Sequence, residues 1–192
     1  YNPEPHVKVT TRAAVVWGNM TTRCSQPYKD GAPTYGQVCN GFLDFQDFAE
    51  WCQSQDGYNM VDSNRFWSLD KDLLLPGNKV YRHDTCIFVP NEVNTVLINP
   101  GDNGLLTGVS PYRYNRSKFT ATCRNLNTGS AHLGVFDTEQ QAHKAWQAAK
   151  IQVIDGLLLK YREYVKIVVS LQGWRARLQA DMDEGVPTIF FM

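Results

Sequence analysis

The sequence predicts an α+β fold in two parts. Two N-terminal segments place apolar residues at helical spacing, short runs bounded by turn residues read as strands, and a capping signal near residue 138 opens a long helical pattern. In residues 9–24, Ala13, Val16, Trp17 and Met20 recur at helical spacing before the turn-rich residues 25–36, which predicts one short helix. In residues 43–53, Phe45, Phe48, Ala49 and Cys52 share one face, with Asp44, Asp47 and Glu50 on the other. These two helices are expected to form a small aromatic core. Residues 68–75 and 80–90 read as strands around Pro76, Gly77 and Asn78, and residues 91–97 as a short helix. Residues 99–108, with Pro100, Gly101, Gly104 and Gly108, are the best linker and put a boundary near 100–107.

Past the linker, residues 109–114 and 118–125 are strand-like and separated by Asn115, Arg116 and Ser117. Residues 131–136 follow Asn127, Thr128 and Gly129, which read as a hairpin turn. Three antiparallel strands result. Thr138 is the expected N-cap, with Gln141 three residues on, and Ala142, Ala145, Trp146, Ala149 and Val153 then carry the helical repeat. That helix is expected to lie across one sheet face and to run to about residue 180, with a break at Gly156. Trp146 and Trp174 at helical spacing are expected to fill core or interface. The domains so read are 1–100, 108–180 and a tail, 181–192, whose Ile189, Phe190, Phe191 and Met192 are apolar enough to dock.

With 192 residues, 43% of them apolar, the chain has material for one medium core or two small ones. Residues 151–171 are interrupted by Asp155, Lys160, Arg162, Glu163 and Lys166, so no membrane span is expected. The zero net charge conceals a split. Residues 1–107 carry eight Lys plus Arg against twelve Asp plus Glu, giving −4, and residues 108–192 carry eleven against seven, giving +4. The basic half is therefore the candidate for phosphate contact. Cys24, Cys39, Cys52, Cys86 and Cys123 are odd in number and contain no CxxC pair, which points to free thiols in a reducing cytoplasm. A structural zinc held by Cys24, Cys39 and Cys86 would lack the paired spacing typical of such sites, and none is expected. Cys86, followed by Ile87, Phe88 and Val89, reads as core.

The C-terminal half contains Gly108 and Val109, Tyr112, Arg113 and Tyr114, Lys118 to Ala121 in the order KFTA, the run HLGVFDT at 132–138, then Glu139, Ala142 and Ala145. Over about forty residues this resembles the DNA-binding domain of the plant ethylene-response-factor class and of its relatives fused to phage nucleases and integrases. The resemblance implies a twisted ribbon for the major groove of duplex DNA. If Tyr112, Tyr114, Phe119, Ala121 and Leu133 face the helix, then Arg113, Arg116, Lys118, Arg124 and His132 are available to DNA.

The N-terminal half carries Trp17, Met20, Arg23 and Cys24, then Phe45, Phe48 and Trp51, then the run LDKD at 69–72, Gly77 and Asn78, Tyr81, CIFVP at 86–90 and Asn94. It is similar to the region preceding such domains in phage HNH-type endonucleases. The resemblance implies an HNH-like, ββα-related domain holding one divalent metal, Mg or Mn, beside a general-base histidine. On that implication Asp70, Asn78 and His83 are the catalytic candidates, and Asp70, Asp72 and His83 the metal ligands. The family's Asp-His pair is here Asp70 and Lys71, and a protonated lysine neither ligates metal nor serves as base. The whole reads as a homing-endonuclease-like protein that binds and cuts duplex DNA in the cytoplasm of an infected bacterial cell. The missing histidine leaves two alternatives: a DNA-binding protein that does not cut, and an interaction protein directed at a host or competing protein. The final helix, with Leu157, Leu158, Tyr161, Val165, Val168, Val169 and Leu171, offers a broad apolar surface to the N-terminal half, to another copy or to a host protein.

Overall fold

The computed structural model describes residues 11–25, 36–96, 104–125 and 129–188. The chain divides into two compact units, Tyr1–Phe88 and Val89–Met192. The expected linker lies partly outside the described residues, as do the turn at 126–128 and the apolar end 189–192.

In the first unit, helix α1 (Arg12–Cys24) starts where the Thr11 hydroxyl accepts the Ala14 N–H, and it buries Ala13 and Met20. Helix α2 (Phe45–Gln53) is capped by Asp44, whose carboxylate takes the Asp47 N–H. Asp44 therefore opens the helix rather than sitting on its polar face. Phe48, Trp51 and Cys52 are buried, and Phe48 packs on Trp17 and Phe42 at ring separations of 5.3 and 5.0 Å. This is the expected aromatic core, extended by Phe42.

The strands of this unit are short, and of the pair expected over 68–75 and 80–90 only residues 68–70 and 87–89 pair with each other. Strand β1 (Cys39–Asn40) runs parallel to β5 (Val80–Tyr81). Strands β2 (Val61–Asp62) and β3 (Arg65–Phe66) form a hairpin through Ser63 and Asn64, both at positive φ. Strand β4 (Ser68–Asp70) pairs with β6 (Ile87–Val89). Residues 71–79 are a compact loop. Its shape is set by side chains: Asp70 Oδ1 accepts the N–H groups of Asp72 and Leu73, and Asn78 Nδ2 donates to the carbonyls of Lys71 and Val80.

The second unit begins with α3 (Asn91–Val96). Strands β7 (Val109–Pro111), β8 (Phe119–Asn125) and β9 (Gly129–Phe136) make a three-stranded antiparallel sheet in sequence order. Helix α4 (Glu139–Lys160) follows at once, opened by the expected capping box of Thr138 and Gln141. Val109 and Ala121 bury against Ala142, with Leu105, Leu106, Phe119, Leu133, Phe136 and Ala145 packed around them. The helix does not break at Gly156. It ends at Tyr161, and α5 (Val165–Glu184) returns antiparallel to it, burying Ile167, Leu171, Trp174 and Leu178. Residues 181–184, expected in the tail, are its last turn. Glu92 of α3 accepts from Lys160 Nζ and from the Tyr161 hydroxyl, and Lys150 Nζ donates to the Val96 carbonyl at 2.8 Å, so α3 is tied to α4 by buried polar contacts. Among the described residues no helix is long and apolar enough to cross a membrane.

Candidate nucleic-acid interface

The sheet's two faces are set by strand alternation and one irregularity. On β8, Phe119, Ala121 and Cys123 turn toward the helix side, and Thr120, Thr122 and Arg124 turn away. On β9, Phe136 pairs with Phe119 and Gly134 with Ala121, after which the register shifts so that His132 pairs with Thr122 and Ala131 with Cys123. Strict alternation from Phe136 would send His132 inward. The bulge inserts Leu133 into the ladder and brings His132 to the side of Thr122, where it is exposed. Gly134, at φ 135°, supplies the backbone freedom this needs.

The outer face therefore shows Ser110, Thr120 and Val135 in one rung, Thr122 with His132 in the next, and Arg124 with Ser130 beyond. At the β7–β8 end, a tight loop is closed by Tyr112 N–H to the Lys118 carbonyl (2.9 Å). Asn115 organises it, its Oδ1 accepting from the N–H and hydroxyl of Ser117. Arg113 and Arg116 are exposed on this loop. The Arg113 guanidinium lies 4.7 Å from the Tyr114 ring centroid, and Tyr112 and Tyr114 meet edge to face at 5.5 Å. Tyr114 is 73% exposed, so the expectation that it faces the helix does not hold; Phe119, Ala121 and Leu133 do.

Charge on this region is of one sign. Residues 108–136 contain Arg113, Arg116, Lys118 and Arg124 and no Asp or Glu. Lys118 pairs with Asp137, just past β9, at 2.7 Å; both ends of the pair are exposed, so the contact is weak and replaceable by a phosphate. Among the described residues neither Arg116 nor Arg124 has a carboxylate partner. Sequence reasoning named the basic residues but not Thr120, Thr122 and Ser130, the hydroxyl donors of the same face. Their alternation with Ala121 and Cys123 was the available signal.

The residues proposed for a metal-dependent centre in the first unit are used otherwise. Asp70 is half-buried and holds two backbone amides; desolvation pushes its pKa up despite those bonds. Asp72 accepts both of its short contacts, at 2.6 and 2.7 Å, from the buried Lys71 ammonium. Asn78 is a loop brace with all its amide atoms engaged. His83 Nε2 lies 2.8 Å from Asp47 Oδ1, and its ring sits on Phe42 at 4.7 Å. Asp47, 36 residues away in sequence, was not foreseen as its partner. The Leu43 N–H, and then His83, hold the Asp47 carboxyl below its usual range. Among the described residues no three His, Cys, Asp or Glu side chains gather as metal ligands. Burial pushes the Cys86 thiol up to about 12, in keeping with a core residue.

Comparison with family models, with curated proteins and with solved structures gave no match to this chain.

Proposed function

We propose that this protein binds double-stranded DNA through the outer face of the β7–β9 sheet and the adjoining β7–β8 loop. The observation that carries the reading is the carboxylate-free stretch 108–136, with Arg124 on a sheet packed from behind by α4 and Arg113, Arg116 and Lys118 on the loop that joins β7 to β8. A two-stranded or three-stranded ribbon fits the major groove, where Arg113, Arg116 and Arg124 reach phosphates or guanine edges, and Thr122 and His132 lie between them for base-edge contact. The bulge sets His132 beside Thr122 on the outer face, two residues along the strand from Arg124.

Cleavage is a separate matter. The candidate metal ligands are occupied by loop and ion-pair contacts, so no hydrolytic step is assigned to them. The test is a gel-shift titration of the full chain with a duplex of a few hundred base pairs, with Mg²⁺ or Mn²⁺ and with chelator. We expect retarded, intact DNA in both conditions, and loss of retardation in an Arg113→Ala, Arg116→Ala, Arg124→Ala triple variant. Retention by the triple variant would move the interface elsewhere. Discrete fragments that disappear with chelator would restore the nuclease reading.

A further inference from the structure

Helix α5 presents two unlike sides. Ile167, Leu171, Trp174 and Leu178 are buried, and the opposite side is exposed and almost free of charge over four turns. On it Val165 and Val169 are 71% and 61% exposed, followed by Gly173, Ala176 and Ala180. A Cβ built on Gly173 meets nothing within 4 Å, so no neighbour inside the chain requires a glycine there, although glycine weakens a helix interior. Charge returns at the two ends with opposite sign. Lys166 lies at the N-terminal end of the exposed side, and Asp183 and Glu184 at the C-terminal end.

We infer that α5 pairs antiparallel with α5 of a second copy of this chain. Setting Lys166 opposite Asp183 fixes the register: Val169 then faces Ala180 and Gly173 faces Ala176, each around a two-fold axis between residues 174 and 175. Large meets small at the first pair, and at the second only the Ala176 methyl stands between the helices, which lets their axes approach closely. The antiparallel sense also opposes the helix dipoles and brings each lysine to the negative end of the partner helix. A parallel pairing would put Lys166 on Lys166 and Asp183 on Asp183. The side that is paired is remote from the one buried against α4, so each copy keeps its fold, and the dimer carries two β7–β9 sheets.

Sedimentation equilibrium of the full chain over a range of concentrations reads this directly. A reversible monomer–dimer equilibrium is expected for the wild type. Lys166→Asp alone and Asp183→Lys alone should each weaken it by about tenfold or more, because two symmetric attractive contacts become repulsive. The double exchange Lys166→Asp with Asp183→Lys should bring dimerisation back. Val169→Glu, at an exposed position that leaves the fold unchanged by circular dichroism, should give monomer at every concentration. A wild type that stays monomeric throughout, or a dimer indifferent to Val169→Glu, would overturn the inference. A dimer broken by both single exchanges and not recovered by the double one would overturn the antiparallel register.

Discussion

His143 shows how much a single side chain fixes in the second unit. Its Nδ1 is 2.9 Å from the Thr107 carbonyl, so that nitrogen donates, and its Nε2 accepts the Thr188 N–H at 3.0 Å. The ring is buried and stacked on Trp146, and Gln147 holds the same C-terminal segment through the Val186 carbonyl and the Thr188 hydroxyl. Adding a proton at Nε2 would set two N–H groups against each other. Desolvation lowers the His143 pKa from 6.5, with the hydrogen bond to the Thr107 carbonyl, then Glu139 and Asp181, pulling the other way. The unfolded chain therefore takes up this proton first as pH falls. Stability contributed here is complete above about pH 6.5 and declines as pH drops toward the folded-state value. Urea denaturation between pH 5 and 8 should show that decline, and His143→Gln should flatten it; an equal slope in the variant would refute the assignment. Asp70 is the contrasting residue. Since it serves two backbone amides, Asp70→Ala should cost roughly 1–3 kcal/mol of stability and leave DNA affinity unchanged in the same preparation. A stable variant with altered DNA processing would return Asp70 to the active-site candidates.

At the scale of elements, the parts readable from sequence were those whose signals are local. The Thr138–Gln141 capping box lies within four residues, and α4 begins where it says. Thr138→Ala should lower stability by about 1 kcal/mol, read from a denaturant midpoint. Strands β7 to β9 were also legible, because Ala121 and Cys123 alternate with Thr120, Thr122 and Arg124. What was not legible depended on distant partners. The β1–β5 pairing joins residues far apart in sequence, and Pro76, Gly77 and Asn78 belong to a longer loop, braced by Asn78, between the paired strands β4 and β6. The end of α4 at Tyr161 was hidden because no Gly or Pro stands between Leu157 and Val165 and apolar residues run on across the junction. Gly108 is the element-scale residue with the clearest requirement. It has φ 79°, and a Cβ there would lie 2.0 Å from Trp146 Cδ1, where β7 begins against α4. Gly108→Ala should destabilise by roughly 1–3 kcal/mol. A variant that melts with the wild type would mean that the β7–α4 contact is not as close as described.

For the whole molecule, charge is neutral in sum and divided by segment, and the function argued here depends on that division. The candidate site was half legible: its cations were countable, but the outward turn of His132 follows from a bulge, and the pairing of Lys118 with Asp137 from the closeness of two strand ends. The proposed DNA contact is made to phosphates by Arg116 of the β7–β8 loop and Arg124 of the outer sheet face. Its most direct measurement is the salt dependence of duplex affinity, by fluorescence anisotropy of the full chain and of an Arg116→Ala, Arg124→Ala variant. Each phosphate contact contributes about −0.9 to the slope of log K against log salt on B-form DNA. A steep wild-type slope is expected, becoming shallower by about 1.8 in the double variant. An unchanged slope, or a wild type that binds no duplex at low salt, would contradict it.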